Sequence, residues 1–115
     1  MKLTTTSILT LLPHLAACIC KDTEVGIGYI NYDNKADRKG ALIANDCNVI
    51  NHTNKDNYCY GWGETYQVHC DEDHRNAQSV TIKKQGRIDE YQCGDYVTGE
   101  QCDGGVVVGK CCALV

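Results

Sequence analysis

Arg75 to Cys93, RNAQSVTIKKQGRIDEYQC, is the stretch on which the fold class turns. Ala77, Val80, Lys84, Ile88 and Tyr91 recur there at three- and four-residue spacing, as on one helix face. Ser79 to Lys84 and Arg87 to Gln92 read equally as two strands joined at Gln85-Gly86. We take a helix at the start followed by a turn at Gly86. That choice sets the expected class, α+β: a small antiparallel sheet with one or two helices pinned onto one face, all-β being the alternative.

Upstream, Glu64 to Cys70 alternates through Tyr66 and Val68 as a strand, and Asp71-Glu72-Asp73 follows as an acidic turn or helix start. Asn48 to Asn57 is polar and asparagine-rich, hence a loop. From Lys35 to Asp46, the positions Ala36, Gly40, Ile43 and Cys47 share one helical face, with Asp33-Asn34 as turn and N-cap. Gly40 weakens that helix by about 1 kcal/mol relative to Ala. Glu24 to Tyr32 alternates with Val25, Ile27 and Tyr29 on one side. Gly26 and Gly28 on the other side point to a close backbone neighbour or a bulge. Downstream, Val106-Val107-Val108 reads as the last strand, running toward Cys112 between Gly-rich turns at Gly104-Gly105 and Gly109.

Residues 1–18 read as an export signal and 19–115 as one disulfide-rich domain. Lys2 gives the positive start, Leu3 to Leu15 is mostly apolar, and Ala16-Ala17 are small residues suited to a peptidase. Pro13 and His14 break the run, which is too short to span a bilayer. The chain has 9 Cys among 115 residues. Cleavage after Ala17 would leave an odd thiol. Cleavage after Cys18 leaves Cys20, Cys47, Cys59, Cys70, Cys93, Cys102, Cys111 and Cys112, an even set. Leu15-Ala16-Ala17-Cys18 also resembles a bacterial lipobox. The single Lys, the cysteine density and a glycosylation sequon weigh against that.

Four disulfides are therefore expected, without a pairing. Adjacent Cys111 and Cys112 must reach different partners, and on a strand their sulfurs point to opposite faces. Cys20 is expected to fasten the N-terminal end. No C-x₂₋₄-C pair is present, so zinc is not expected. With no Phe and one Trp the apolar supply is thin, and the bridges must carry much of the stability.

Asn51-His52-Thr53 matches the N-glycosylation acceptor pattern, placing Asn51 in a polar loop. His69-Cys70-Asp71-Glu72-Asp73-His74 concentrates ligand-type side chains, but on a strand His74 lies beyond the face His69 and Asp71 share. An acidic turn is preferred to a metal site, and no cofactor is expected. His52, His69 and His74 could serve acid–base cleavage of RNA, yet no local motif supports an enzyme. Tyr58, Tyr60 and Trp62, in YCYGWG, are the candidate binding residues, since polar-tipped rings stack on sugars or fill a partner's pocket. The competing reading packs Trp62 over a disulfide in the core. The formal net charge of −4, or −5 without Lys2, argues against nucleic acid and anionic lipid. A monomer with no membrane span is expected.

The export segment, with Met-Lys-Leu-Thr-Thr-Thr-Ser leading to Ala-Ala-Cys-Ile-Cys, the even cysteine set, adjacent Cys111-Cys112 and the small acidic body resemble fungal small secreted cysteine-rich, effector-like proteins. That resemblance implies a secreted, extracellular, non-enzymatic protein that binds a host extracellular protein or a cell-wall polysaccharide. It also admits a killer-toxin-like inhibitor of competing microbes, with an α/β sandwich stapled by disulfides. A small secreted ribonuclease-like hydrolase is the opposing reading.

Overall fold

The computed structural model describes residues 20–102 and 104–115, the backbone alone at 96–101. The export signal expected over 1–18, with its cleavage point and Cys18, lies outside the described residues. Seven strands run in chain order: β1 (Glu24–Ile30), β2 (Lys39–Ala44), β3 (Val49–His52), β4 (Tyr66–Cys70), β5 (Ala77–Lys84), β6 (Arg87–Cys102) and β7 (Val106–Leu114). They form one curled antiparallel sheet, a half-barrel of order β3-β2-β1-β7-β6-β5-β4. The first and last strands, β1 and β7, pair at its centre. Two meanders, β1–β3 and β4–β7, meet along that seam.

No helix occurs among the described residues, so the α+β expectation is corrected to all-β. The reason is legible in 75–93. His69 pairs with Ser79 but Cys70 pairs with Ala77, which makes Gln78 an extra residue, a bulge. Ala77 and Val80, three apart, then both face the core although the segment is extended. The rest of the supposed stripe is split, because Tyr91 is buried in the core whereas Ile88 is 61% exposed. β5 and β6 join through Gln85-Gly86, with Gly86 at φ 72. The helix expected at 35–46 fails for another reason. Ala41, Leu42 and Ile43 are consecutive and all fully buried, so both sides of the segment are covered. A strand meets that demand by sending Leu42 to one face and its neighbours to the other. Asn34 still caps locally, accepting from the Ala36 amide at 3.2 Å, but it closes a turn. The loop expected at 48–57 contains the short edge strand β3.

Alternation splits the apolar residues between the two faces. The inner face holds Val25, Ile27, Leu42, Val68, Val80, Ile82, Tyr91 and Cys112 around Tyr58. The outer face holds the smaller cluster of Cys20, Ala41, Ile43 and Val108. The Gly26/Gly28 expectation is met: register shifts between Ile27 and Gly28, and a Cβ on Gly28 would strike the Val107 carbonyl oxygen.

All eight expected cysteines pair: Cys20–Cys111, Cys47–Cys102, Cys59–Cys70 and Cys93–Cys112. Cys111 and Cys112 do reach different partners on opposite faces, Cys111 beside the outer cluster and Cys112 inside the inner one. Cys93–Cys112 rivets register partners on β6 and β7. Cys47, in the β2–β3 turn at φ 74, bonds Cys102 across the outer face.

Candidate functional site

Because β3 and β4 are opposite edges of the sheet, the connector 53–65 must cross from one to the other. It contains YCYGWG, and it crosses over the inner face. Its entry is fixed to β2: Thr53 donates its amide to the Gly40 carbonyl at 2.9 Å, and Gly40 donates to the Lys55 carbonyl at 3.0 Å. A Cβ on Gly40 would collide with the Tyr58 backbone, so the glycine is what lets the connector lie this close. Its exit is fixed to β5, where the Lys83 amide donates to the Thr65 carbonyl at 2.8 Å. Cys59–Cys70 staples the middle to β4.

This course separates the three candidate rings. Tyr58 points inward and is 2% exposed. Its ring lies 5.3 Å from that of Tyr29, and its hydroxyl donates to the Arg75 carbonyl at 2.9 Å. As a surface contact Tyr58 is therefore corrected to a core residue: an apolar body with one satisfied polar tip is most stable where both are used. Trp62 is partly buried, packs against the inner core and donates Nε1–H to the Tyr58 carbonyl at 2.6 Å. Tyr60 turns outward, 46% exposed, with its ring 5.5 Å from that of His74.

Local hydrogen bonds hold Tyr60 in place. Asn57 accepts from the Cys59 amide at 2.8 Å through Oδ1 and from the Tyr60 amide at 3.2 Å through its carbonyl. Thr53 is 1% exposed, and its hydroxyl donates to the Tyr60 carbonyl at 2.5 Å. Gly61 follows at φ 83, and a Cβ there would strike the Thr53 hydroxyl. Gly63, by contrast, has open space around it. Sequence reasoning saw Thr53 only as the third residue of the sequon and missed it as the clamp of this loop. A threonine before a run of turn residues is too common to announce the role.

Asn51 of the sequon lies on edge strand β3 opposite Leu42, half-buried, its Oδ1 accepting from the His52 amide at 2.7 Å. The histidines sit on separate elements. His52 uses Nδ1 on the Thr53 carbonyl at 3.0 Å, and His69 uses Nε2 on the Thr81 hydroxyl at 2.9 Å. Among the described residues no hydrogen bond joins any two of them. In the 69–74 cluster, Asp71 closes the β4–β5 turn, accepting from the Asn76 side chain at 3.0 Å and the Arg75 amide at 3.2 Å. The Asn76 side chain, seconded by the Arg75 amide, lowers the Asp71 carboxyl below its ordinary value. The tightest ligand-type group among the described residues is Cys20, Glu24 and Cys111, but its two sulfurs are bonded to each other. Lys84 and Arg87 flank the β5–β6 turn and both bind Asp89, at 3.2 and 3.0 Å. The hydrogen bond from Lys84 lowers its carboxyl.

Comparison with protein families, curated proteins and solved structures found no match. Four disulfides are nonetheless the mark of proteins from oxidising compartments. No helix among the described residues is long and apolar enough to cross a membrane.

Proposed function

We propose that this chain is a secreted, non-enzymatic, effector-like binding module whose recognition face is the rim formed by Tyr60 beside Trp62 and His74, and that its ligand is a cell-wall glycan. The observation that carries the reading is the exposure of Tyr60 in a loop whose neighbours are all fastened. A flat ring that is already ordered loses little entropy on association and offers a face for a sugar ring. A glycan is favoured over a protein partner because the exposed large apolar side chains are Tyr32, Val49, Tyr60, Ile88, Leu114 and Val115, and apart from the adjacent Leu114 and Val115 they are spread over separate elements. Protein docking uses contiguous apolar patches. The disulfides and the export segment support secretion.

Sedimentation with insoluble cellulose, chitin and calcium pectate tests the reading. Tyr60→Ala is expected to weaken binding about 30-fold, the equivalent of about 2 kcal/mol for an interface hot spot. The melting temperature should stay put, because the exposed ring supports little of the core. Unchanged binding by the folded variant would overturn the rim as the site.

A further inference from the structure

Beside the entry of the connector, 35–39 and 54–56 enclose an open groove of about 340 Å³. Four of its lining residues are cations: Lys35, Arg38, Lys39 and Lys55. On a chain of net charge −4 this is a local reversal of sign. None of the four forms an ion pair among the described residues; the salt bridges found there are those of Asp89. Arg38 is the most ordered of them. Its guanidinium carbon lies 4.4 Å over the Tyr29 ring, and Nη2 donates to the Asp56 carbonyl at 3.3 Å. Its Nε is buried and finds no acceptor in the protein. That atom is closed to a ligand in the groove, but the guanidinium is held by its stack on Tyr29 and ends in Nη donors whose planar fork matches a carboxylate.

The groove adjoins the loop that carries the aromatic rim. A Cβ on Gly61 would meet Lys55 Cγ at 2.8 Å, so the Lys55 stem lies against the glycine between Tyr60 and Trp62. Asp37 and Asp56 also line the groove. A nucleic acid, with a charge on every phosphate and few hydroxyl donors, would meet those two carboxylates unfavourably. A sugar acid carries one carboxylate per ring among several hydroxyls, which donate to carboxylates.

We propose that the groove binds the carboxylates of a uronic-acid polysaccharide, with Arg38 as the principal anchor and Lys55 bringing the chain to the Tyr60 rim. This rests on the glycan reading above and names its substrate class. The probe is polygalacturonate, with methyl-esterified pectin and cellulose as uncharged controls, in affinity electrophoresis. The wild-type protein is expected to bind polygalacturonate at least about ten-fold more tightly than the ester, with binding weakening as salt rises. Arg38→Gln should remove about ten-fold of that affinity. The exposed pair Lys35→Gln/Lys55→Gln, which carries no packing role at its charged tips, should flatten the salt dependence without changing the fold. Equal binding of acid and ester, sensitive to Tyr60→Ala but indifferent to both groove variants, would overturn the uronate inference and leave the rim reading standing. Binding to none of the polysaccharides would overturn both.

Discussion

On the inner face of the sheet, Ile27, Leu42, Val80 and Ile82 pack under a connector that lies directly on the strands and adds its own Tyr58 to them. On the outer face the buried set is Cys20, Ala41, Ile43 and Val108, with no aromatic ring among them. Two disulfides serve each side, but they are of different kinds. The inner pair, Cys59–Cys70 and Cys93–Cys112, closes separations of 11 and 19 residues. The outer pair, Cys20–Cys111 and Cys47–Cys102, closes 91 and 55. Loop-closure entropy makes the longer bridges worth ~4.6 and ~4.2 kcal/mol, against ~2.8 and ~3.2 for the shorter ones. The face with less apolar surface is held by the bridges that most restrict the unfolded chain. The inner bridges act chiefly by pinning geometry, one of them at the loop that presents Tyr60.

The sharpest way to break this contrast is to remove one bridge from each face. Replacing Cys20 and Cys111 together by Ala is expected to cost about 4–5 kcal/mol in urea unfolding, near the whole stability of a small domain. Replacing Cys59 and Cys70 together should cost about 3 kcal/mol and should also loosen glycan binding. A larger loss of stability from the inner pair would show that the inner face depends on its staples more than the outer face does.

Smaller effects come from single methyl groups added to each face. A Cβ at Gly40 would sit 2.7 Å from the Tyr58 amide nitrogen, a backbone atom tied to the connector, whereas at Gly26 the nearest atom is Val108 Cγ1 at 3.0 Å. Gly40→Ala is therefore expected to cost about 3 kcal/mol and Gly26→Ala about 1 kcal/mol, because a side chain yields more readily than a backbone. Thermal melts of the two variants measure the difference. Equal losses would mean that the outer cluster is packed as rigidly as the inner one.

The smallest effect concerns the turn that carries His74 to Tyr60. The Asp71 carboxyl is held below its ordinary value of 3.8 by hydrogen bonds present only in the folded chain. A lowered folded-state value means that this support is present in full above the unfolded value and fades as pH falls through the folded one. Stability should therefore decline below about pH 4, and Asp71→Asn should reduce that decline. Because the group is exposed the change will be slight, and titration-monitored melts between pH 2 and 5 are the measurement. A decline of the same steepness in the variant would transfer the effect to Asp89, whose carboxyl is lowered by Lys84.

Much was determined by the sequence alone: the eight cysteines that pair, the separate partners of Cys111 and Cys112, and the strands around Tyr29, Val68 and Val107. The close approach at Gly28 was legible too. These follow from parity, from a peptide bond too short to bridge adjacent cysteines without strain, and from two-residue alternation, all of them local quantities. The choice between α+β and all-β was not local. It turned on Gln78, whose bulge mimics helical spacing, and on Ala41-Leu42-Ile43, which needs apolar cover on both sides. Only the folded sheet shows that β1 and β7 meet, that β3 and β4 become opposite edges, and that YCYGWG must therefore bridge them. That crossing buries Tyr58 and exposes Tyr60 two residues later, and it sets Arg38 on Tyr29 beside Lys55. Side chains so far apart in the chain are brought together by strand order, which no single segment specifies.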